Sequence, residues 1–378
     1  MVKIYDFYLE PLNERYTEQW SRWFPEEFKK AGFEYERVEG MPLTSVIIKG
    51  AFLDVNSTIH WKATQISNIA LKFFGNEIKD GDIFFVPDMW FPIEMLGYLA
   101  NLNKVRVKIF AFLHAGSYTF EDFAIPMSEW AKYQEVAWAK LVDKIFVGTK
   151  YHKESFMQRR VVPYMTKPDA FDVYQKIVVT GNPFSTKEIF DLVGEMPDKE
   201  KIILFPNRFD YEKRPNIFLD IAQIIKKKYP DWKIIVSTSR PTFRSCHPWL
   251  EKYAKTLEEQ GVIEIRAGIS KADYYKLLAK SRITISTTIE ENFGYCIVEA
   301  LSLNTIPLCP NDYSHPELLK GREEYLYSDY DDLLAKIERI MNEEHPDNKI
   351  GERLLPTLPM LAEKYNYSIQ RMIEEMNK

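Results

Sequence analysis

Short apolar runs alternate along this chain with longer segments in which apolar residues recur every three or four positions. In the first half, the apolar runs that predict buried strands lie at residues 2–8, 45–48, 83–87, 105–113, 144–148 and 176–180. Between them, a spacing such as that of Trp20, Phe24 and Phe28 is typical of the buried face of a helix. Strands that alternate with helices indicate an α/β fold with a parallel sheet covered on both sides.

A second series with the same rhythm begins at residue 202. Its predicted strands are residues 202–205, 233–236, 262–265, 283–286 and 305–308. The 378 residues exceed what one hydrophobic core usually supports, so we expect two domains. The polar stretch at about 183–200, which contains Pro197, is the best candidate for a linker. We therefore place an N-terminal α/β domain at 1–184 and a C-terminal one at 198–356.

Composition and charge narrow the class of protein. The chain is 46% hydrophobic and 28% charged, as in globular proteins rather than disordered ones. Its net charge of −5 gives no overall attraction to nucleic acid or to an anionic membrane, although local basic patches are compatible with it. No apolar run reaches the roughly 18 residues that cross a bilayer, and residues 1–8 show a strand pattern rather than that of a signal peptide. We expect a cytoplasmic protein without a transmembrane segment, with peripheral attachment to a membrane left open.

The cysteines and acidic clusters give no sign of a metal site. Cys246, Cys296 and Cys309 are odd in number and lack the paired spacing of zinc ligands. A reduced, cytosolic setting fits them better than a disulfide framework. The acidic run at 329–332 precedes a segment of helical periodicity, so it is better read as the start of a helix than as a metal motif. We therefore expect neither a metal nor another cofactor.

The most informative stretch is 291–301, where the strand 283–286 leads through a short polar turn into an apolar helix. Glu291 lies in the turn and Glu299 on the helix, with Gly294 between them. Backbone N–H groups at the start of a helix bind anionic or hydroxyl groups, and a glycine lets a ligand approach closely. Each carboxylate accepts several O–H hydrogen bonds, so two of them suit the hydroxyls of a sugar. The alternative is a solvated loop acid followed by an acid on a helix face.

At these residues the chain resembles the retaining glycosyltransferases of the family-4 type, also called glycosyl transferases group 1. Their signature is two glutamates separated by seven residues with Phe-Gly inside, which Glu291, Phe293, Gly294 and Glu299 match. The resemblance implies the GT-B fold, in which two Rossmann-like domains face a central cleft. In that fold a C-terminal helix, here 357–378, crosses back to the first domain.

The resemblance also implies how a nucleoside-diphosphate sugar would bind. Glu299 would accept hydrogen bonds from the ribose hydroxyls, and Glu291 from the hydroxyls of the transferred sugar. Asn292 and Tyr295, on either side of the Phe293-Gly294 pair, complete the predicted donor-binding turn.

Two cations follow the strand 202–205 at the spacing with which this family holds the donor's diphosphate. Arg208 suits a forked contact with phosphate, and Lys213 acts as a point charge. The departing nucleoside diphosphate gains negative charge as the glycosidic bond breaks, and fixed cations stabilise that charge. The alternative is a surface loop with exchangeable cations.

Two residues of the first half extend the predicted site. His114 closes the strand 105–113, where the family commonly has a histidine near the transferred sugar; it would bind a sugar hydroxyl or the junction with the acceptor. Asn182 follows the strand 176–180 and matches a small polar turn at the cleft. Each has a structural alternative, because a histidine at a strand end is often only a satisfied polar residue, and asparagine also serves in turns with positive φ.

The chain departs from the family in several turns. The family usually has Gly-Gly after its first strand, where residues 10–15 read Glu-Pro-Leu-Asn-Glu-Arg. Residues 237–240, Ser-Thr-Ser-Arg, replace a glycine-rich turn, and Asn304 replaces a glycine, although asparagine tolerates left-handed conformations. Ser314 and His315 follow the strand 305–308, and the resemblance implies that one of them reaches the nucleotide. Ser314 is equally suited to cap a helix. The role of the N-terminal loop and the identity of the sugar stay open.

We therefore expect a metal-independent retaining glycosyltransferase with a nucleotide-sugar donor and a carbohydrate, lipid-linked or other hydroxyl acceptor. The first domain, with six of the eight tryptophans, would choose the acceptor. A glycosyltransferase acting on modified bases of DNA is a narrower alternative, against which the acidic net charge counts. A sugar-nucleotide epimerase, a phosphorylase of the same fold and a non-catalytic sugar-binding module are the others. The oligomeric state stays open.

Overall fold

The computed structural model describes residues 2–12, 15–43, 55–120, 122, 124–245, 247–342 and 357–378. Their contacts divide the chain into two compact units, Met1–Pro183 with Tyr367–Lys378, and Phe184–Asn366. Within the described residues, each unit contains one parallel sheet of six strands. The chain therefore has two Rossmann-like α/β units, as the sequence predicts.

The first unit is built on the strands β1 (Lys3–Asp6), β2 (Glu34–Arg37), β3 (Ile83–Val86), β4 (Lys108–Phe112), β5 (Lys144–Val147) and β6 (Ile177–Val179). Its helices include α1 (Tyr16–Lys30), α2 (Val55–Phe74), α3 (Ile93–Asn103), α4 (Ser128–Leu141), α5 (Lys150–Phe156), α6 (Val162–Tyr164) and α7 (Lys167–Lys176). The strand order is β2-β1-β3-β4-β5-β6. Every residue of β3 is buried, because helices cover both faces of a parallel sheet.

The second unit is built on the strands β7 (Glu200–Phe205), β8 (Lys233–Thr238), β9 (Glu264–Ala267), β10 (Ser281–Ile285), β11 (Ile306–Pro310) and β12 (Leu326–Tyr327). Its helices include α8 (Thr186–Val193), α9 (Pro215–Lys228), α10 (Pro248–Glu259), α11 (Lys271–Lys280), α12 (Tyr295–Ser302), α13 (His315–Leu318), α14 (Tyr330–Met341) and α15 (Thr357–Glu363). The strand order is β12-β11-β10-β7-β8-β9. This is the doubly wound order of nucleotide-binding sheets.

The C-terminal helix α16 (Ser368–Met376) packs within the first unit, as the family resemblance implied. It contacts α1 and β5, and Arg371 Nε donates a hydrogen bond of 2.9 Å to the Thr180 carbonyl. The predicted continuous helix over 357–378 is instead divided, because residues 364–367 form a 3₁₀ turn. The preceding helix α15 packs on α12 in the second unit.

The strands with apolar runs are predicted better than those that are polar or very short. The apolar runs of the sequence form β1 and β3–β6 in the first unit and β7–β11 in the second, with shifts of a few residues at their ends. The edge strands β2 and β12 are absent from the prediction, because β2 is mostly polar and β12 has only two residues. The strand predicted at 45–48 lies outside the described residues.

The stretch predicted as a linker contains α8 instead. Ser185 caps this helix, since its hydroxyl accepts a hydrogen bond of 3.1 Å from the Glu188 amide. Ile189 and Val193 lie one turn apart and are buried in the core of the second unit. A good cap and one buried stripe therefore outweigh the polar composition, and the second unit begins at Phe184.

Side chains that accept hydrogen bonds from the backbone begin two of the helices. Ser270 Oγ accepts a hydrogen bond of 3.0 Å from the Asp273 amide, and Asp329 accepts one of 2.9 Å from the Asp332 amide. The acidic run at 329–332 is thus the start of α14. Ser128 is the first residue of α4, and its hydroxyl accepts a hydrogen bond of 2.7 Å from Arg160 Nη2.

Asp6, the last residue of β1, is a buried carboxyl group whose solvation is poor. Its Oδ2 accepts a hydrogen bond of 2.8 Å from the Tyr35 hydroxyl, whereas its Oδ1 has no hydrogen-bond partner among the described residues. Burial raises the pKa of Asp6 to about 7, against the opposing effects of Tyr35 and the Arg37 charge. The ionised form therefore weakens the first unit above neutral pH.

We expect Asp6→Asn to stabilise the first unit by about 2–4 kcal/mol at pH 8 and by almost nothing at pH 4. The folded chain holds the proton up to about pH 7, whereas the unfolded chain releases it near the ordinary pKa of 3.8. Wild-type stability therefore falls as the pH rises between these values, and the asparagine variant lacks this loss. Urea unfolding followed by tryptophan fluorescence at both pH values measures the difference. A gain that is the same at both pH values contradicts the prediction.

Candidate active site

The order of the second sheet reverses between β7 and β10, which lie side by side with Ile203 opposite Ile283. In doubly wound sheets, ligands bind beyond the carboxyl ends of the strands at such a switch point. Arg208 and Lys213 follow β7, Glu291 follows β10, and Glu299 lies on the next helix, α12. The predicted donor-binding charges therefore lie on the segments that directly follow the two strands flanking the switch point.

Lys213 and Glu291 form an ion pair, with 2.9 Å between Nζ and Oε2. Burial lowers the pKa of Lys213, but Glu291 and Glu212 more than offset it, so the pKa is raised. Burial raises the pKa of Glu291, but the charge and hydrogen bond of Lys213 outweigh it, so this pKa is lowered. Both groups are therefore charged at neutral pH, one as a donor and the other as an acceptor of hydrogen bonds.

Two threonines that the sequence analysis missed hold the backbone of Lys213. The Thr287 hydroxyl lies 2.6 Å from the Lys213 carbonyl and 3.0 Å from that of Arg214. The Thr288 hydroxyl lies 2.7 Å from the Glu290 carbonyl and 3.1 Å from the Glu212 carbonyl. Arg214 has a left-handed φ of 42°, which is unfavourable for a residue with a side chain, so this segment needs such anchors. Their position directly after β10 is the only signal in the sequence.

Arg208 belongs to a cluster of charges near the same strand end. It forms an ion pair with Glu212, and its Nη1 lies 3.7 Å from Asp210 Oδ2. Arg240 also approaches Asp210 Oδ2 at 3.7 Å. The turn 237–240, which replaces a glycine-rich turn of the family, therefore adds a cation to this cluster that the sequence analysis did not predict.

Glu299 is buried and already accepts three hydrogen bonds from α11. Lys271 Nζ and the Tyr275 hydroxyl each lie 3.0 Å from Oε1, and the Tyr274 hydroxyl lies 2.8 Å from Oε2. Burial lowers the pKa of Lys271, but Glu299 and Tyr275 outweigh it, so the pKa is raised well above the ordinary value. These three partners were not predicted, although their i, i+3 and i+4 spacing places them on one face of a helix.

The turn between the two glutamates is shaped by Gly294, which has a φ of 80° and directly precedes α12. A Cβ there would lie 3.3 Å from Leu318 Cδ1, so a side chain would strain the backbone and require a small shift of Leu318. Phe293 is buried, and its ring centroid lies 4.9 Å from that of Tyr365 and 5.0 Å from that of Tyr295. Phe293 thus fixes the turn, while Tyr295 and Asn292 are half-buried.

Cys296, at the start of α12, lies near two ion pairs, Lys213 with Glu291 and Lys271 with Glu299. Burial raises the pKa of its thiol to about 12; Glu299 and Glu291 act in the same direction, and Lys271 and Lys213 in the opposite one. All four charges therefore lie within electrostatic range of one sulfur atom. Arg208 and Lys213 lie on the same loop after β7, where each pairs with a glutamate.

Ser314 and His315 lie beside this site. The Ser314 amide donates a hydrogen bond of 3.2 Å to the Glu291 carbonyl, but its hydroxyl makes no capping bond to α13. Neither that hydroxyl nor the ring nitrogens of His315 have hydrogen-bond partners in the described part of the chain. Burial lowers the pKa of His315 to about 4, against the opposing charge of Glu291, so the ring is neutral at neutral pH.

His114 in the first unit is held in one orientation. Its Nε2 lies 2.8 Å from the Pro87 carbonyl, so this nitrogen carries the proton and donates. Its ring centroid lies 4.8 Å from that of Trp20 and 4.9 Å from that of Phe112. Burial lowers the pKa of His114, against the opposing charge of Asp88. The ring is therefore neutral, with Nδ1 as its acceptor nitrogen.

Asn182, the other predicted residue of the first unit, follows β6 and is buried. The positive φ at this turn, 81°, belongs to Gly181 rather than to Asn182. The alternative reading of Asn182 as a left-handed turn residue is therefore wrong. Asn304 in the second unit does adopt that conformation, with a φ of 54°, as its replacement of a family glycine predicts.

The described residues provide no obvious place for a metal ion. Among them, no group of three or more His, Cys, Asp or Glu side chains lies close enough together to hold one. Cys296 and Cys309 are free thiols, and Cys246 lies outside the described part of the chain. No helix in that part has the length and apolar character needed to span a membrane.

The family model of glycosyl transferases group 1 matches residues 186–354. This range contains the switch point of the second sheet and its four charged residues Arg208, Lys213, Glu291 and Glu299. Residues 186–354 are a group 1 glycosyltransferase domain. The two glutamates separated by seven residues thus belong to the group 1 domain, which confirms the resemblance of the sequence.

Solved structures extend the likeness of the group 1 domain to the fold of the whole chain. Sucrose-phosphate synthase from Thermosynechococcus elongatus is 12% identical, with a TM-score of 0.72 over 100% of this chain and 98% of that one. A trehalose-6-phosphate synthase, described in work on glycosyl transfer with retention, is 13% identical, with a TM-score of 0.59 over 86% of this chain and 80% of that one. At such identities these matches show the fold, which is GT-B.

A curated relative supports the same class of chemistry. The tRNA-queuosine alpha-mannosyltransferase of Drosophila melanogaster is 25% identical to this chain over 136 residues. The match spans 36% of this chain and 34% of that protein, so it covers about a third of the relative's length.

Proposed function

We propose that this chain is a retaining glycosyltransferase that takes its sugar from a nucleoside-diphosphate sugar and needs no metal ion. A single geometric feature supports this function best. Lys213 and Glu291, 2.9 Å apart, lie at the switch point of the second sheet with Arg208 on the same loop. A cation beside an acceptor of hydrogen bonds suits a ligand that carries phosphate next to sugar hydroxyls.

Donor binding would use the charges in two groups. Arg208 and Lys213 would contact the diphosphate, which competes with their present partners Glu212 and Glu291. Glu291 would then accept hydrogen bonds from the sugar, and Glu299 from the ribose. The turn of Asn292, Phe293, Gly294 and Tyr295 would carry the donor against the start of α12, where backbone N–H groups lack helical partners.

In the transfer step, the bond between the anomeric carbon and the phosphate oxygen breaks while the acceptor oxygen bonds to the same face of that carbon. The acceptor's proton passes to a phosphate oxygen of the leaving group, so the step needs no protein base. Lys213, whose backbone is fixed by Thr287, stabilises the charge that develops on the diphosphate. Retention in the trehalose-6-phosphate synthase of the same fold supports this stereochemistry.

The first unit would supply contacts to the sugar and the acceptor. The Nε2–H group of His114 donates a hydrogen bond to the Pro87 carbonyl, so Nδ1 is the nitrogen suited to accept one from a sugar hydroxyl. We assign it this positioning role rather than that of a nucleophile. Asn182 would act at the turn after β6.

A thermal-shift screen with UDP, GDP, ADP and their common sugar derivatives tests the donor site. We expect at least one diphosphate to raise the melting temperature, because a ligand that binds only the folded state stabilises it. The matching sugar donor is then incubated with simple glycosides and alcohols, and NMR gives the anomeric configuration of the product. Inversion of that configuration, or no stabilisation by any diphosphate, contradicts the proposal; the free sugars serve as control ligands.

A second candidate differs in the acceptor, which would be a hydroxyl group on a modified nucleoside of tRNA or DNA. The similarity to a tRNA-queuosine alpha-mannosyltransferase favours it. Incubation with labelled donor and either bulk tRNA or hydroxymethylated duplex DNA tests this acceptor. A nucleic-acid acceptor is supported if nuclease treatment releases the label as a glycosylated nucleoside and if binding weakens as the salt concentration rises. Transfer to glycosides alone rejects it.

A further inference from the structure

The carboxylate of Glu299 has too few acceptor positions left for a ribose. A carboxylate offers about four lone-pair positions, and three donors already occupy it: Lys271, Tyr274 and Tyr275. The two hydroxyls of a ribose donate two hydrogen bonds. If Glu299 takes the ribose, as in the function proposed above, at least one of its present partners must leave.

Lys271 is the partner best able to leave. The Tyr275 side chain is 1% exposed and belongs to the core, so it cannot withdraw without repacking. The Lys271 side chain is 26% exposed, and its four-carbon stem gives the ammonium many alternative positions. Tyr274 is half-buried, with its ring centroid 5.3 Å from that of Tyr275, which restricts its movement.

Moving the Lys271 ammonium away from Glu299 costs free energy, because it separates a buried ion pair. Another anion near the ammonium offsets this cost. A donor brings such an anion in its diphosphate. Lys271 pairs with Glu299 on α12, and Lys213 pairs with Glu291 in the turn that leads into α12, so both ammonium groups lie near the start of this helix. A diphosphate held by Lys213 is therefore an anion that the bound state brings to this end of the helix.

We propose that Lys271 is a nucleotide-binding residue that neutralises Glu299 in the free protein and moves to the donor's diphosphate when the ribose hydroxyls take its place. This inference rests on the proposed donor site. It adds to that site a cation that the two-glutamate signature does not contain. In the free protein, Lys271 keeps the buried carboxylate paired; in the complex, it adds a charge-assisted hydrogen bond to the phosphates.

The test compares a nucleoside diphosphate with its parent nucleoside in the wild type and in Lys271→Met. The pairs are UDP with uridine, GDP with guanosine and ADP with adenosine, measured by calorimetry and by ligand-observed NMR. We expect the methionine variant to bind the nucleoside at least as tightly as the wild type, because the Lys271 ammonium no longer competes with the ribose for Glu299. We expect the advantage of the diphosphate over the nucleoside to fall about tenfold, since one charged contact to phosphate is lost.

Two variants serve as controls. Lys271→Arg keeps the charge and should restore most of the diphosphate's advantage. Lys276→Met alters an exposed lysine of the same helix and should leave both affinities unchanged. If Lys271 were only structural, the methionine variant would weaken nucleoside and diphosphate by the same factor, and that result overturns the inference. If the wild type binds none of the three diphosphates, the proposed donor site fails, and the inference fails with it.

Discussion

Replacing Lys213 with alanine is expected to lower kcat by about 10²–10³-fold while the affinity for the donor falls much less. The ammonium is present before the reaction and is fixed by the Thr287 and Thr288 contacts to its loop. In the proposed transfer step it would stabilise charge that appears only as the glycosidic bond breaks, which would affect the transition state more than the bound donor. Initial rates and donor Kd values for both proteins measure the two effects separately.

Removal of Lys213 also leaves Glu291 without its ion-pair partner, so a loss of stability must be separated from a loss of catalysis. Lys213→Arg keeps a cation at this position and should retain more turnover than alanine. Lys228→Ala removes a surface ion pair with Glu338, 2.7 Å long, and should leave kcat unchanged. A Lys213→Ala protein that is folded and turns over at the wild-type rate contradicts the assigned role.

The second large effect concerns stability, and it arises from a buried network in the first unit. Arg160 Nε donates to Glu135 Oε2 at 2.7 Å, and its Nη2 donates to the Ser117 carbonyl at 2.6 Å. Glu135 also accepts a hydrogen bond of 2.6 Å from the Ser117 amide. The exposed fractions of the Arg160 and Glu135 side chains are 8% and 3%, so both charges depend on each other. This network anchors the loop that follows His114.

Arg160→Met is expected to lower the free energy of unfolding of the first unit by about 3–5 kcal/mol, because Glu135 is left as an unpaired buried charge. Urea unfolding followed by tryptophan fluorescence measures it, since six of the eight tryptophans lie within residues 1–184. Arg106→Met is the matched control: its side chain is 91% exposed and pairs with Asp80 at 3.3 Å, so the change should be small.

The double variant Glu135→Leu with Arg160→Met removes both charges and should recover much of the lost stability. A loss in the double variant that equals the sum of the two single losses would show that the two charges act independently. That result would contradict the mutual dependence of Arg160 and Glu135.

The charged residues that the sequence identified lie on the segments that directly follow two apolar strands. Arg208, Lys213, Glu291 and Glu299 were found because β7 and β10 are apolar runs with clear ends, followed by a recognisable spacing. Their neighbours were not found. Lys271, Tyr274 and Arg240 reach the site from other strands and helices, and only the folding of the sheet brings them to it.

Local composition misled the prediction where a few contacts outweighed it. The stretch 183–200 is polar on average, yet the Ser185 cap and the buried pair Ile189 and Val193 make part of it a helix. Ser128, at the start of α4, accepts a hydrogen bond through its hydroxyl from Arg160, which is distant in the sequence. Neither outcome is visible without the partners that packing supplies.

The sequence alone specifies two parallel sheets, because apolar runs that alternate with helical periods form buried strands that need helices on both faces. It also shows which strand ends carry cations and acids. How those charges pair is visible only in the folded chain, where Lys213 lies 2.9 Å from Glu291 and Lys271 already occupies Glu299. The physical reason is that electrostatic pairing depends on distance in space, and residues from separate strands and helices come within that distance only after the sheet has formed.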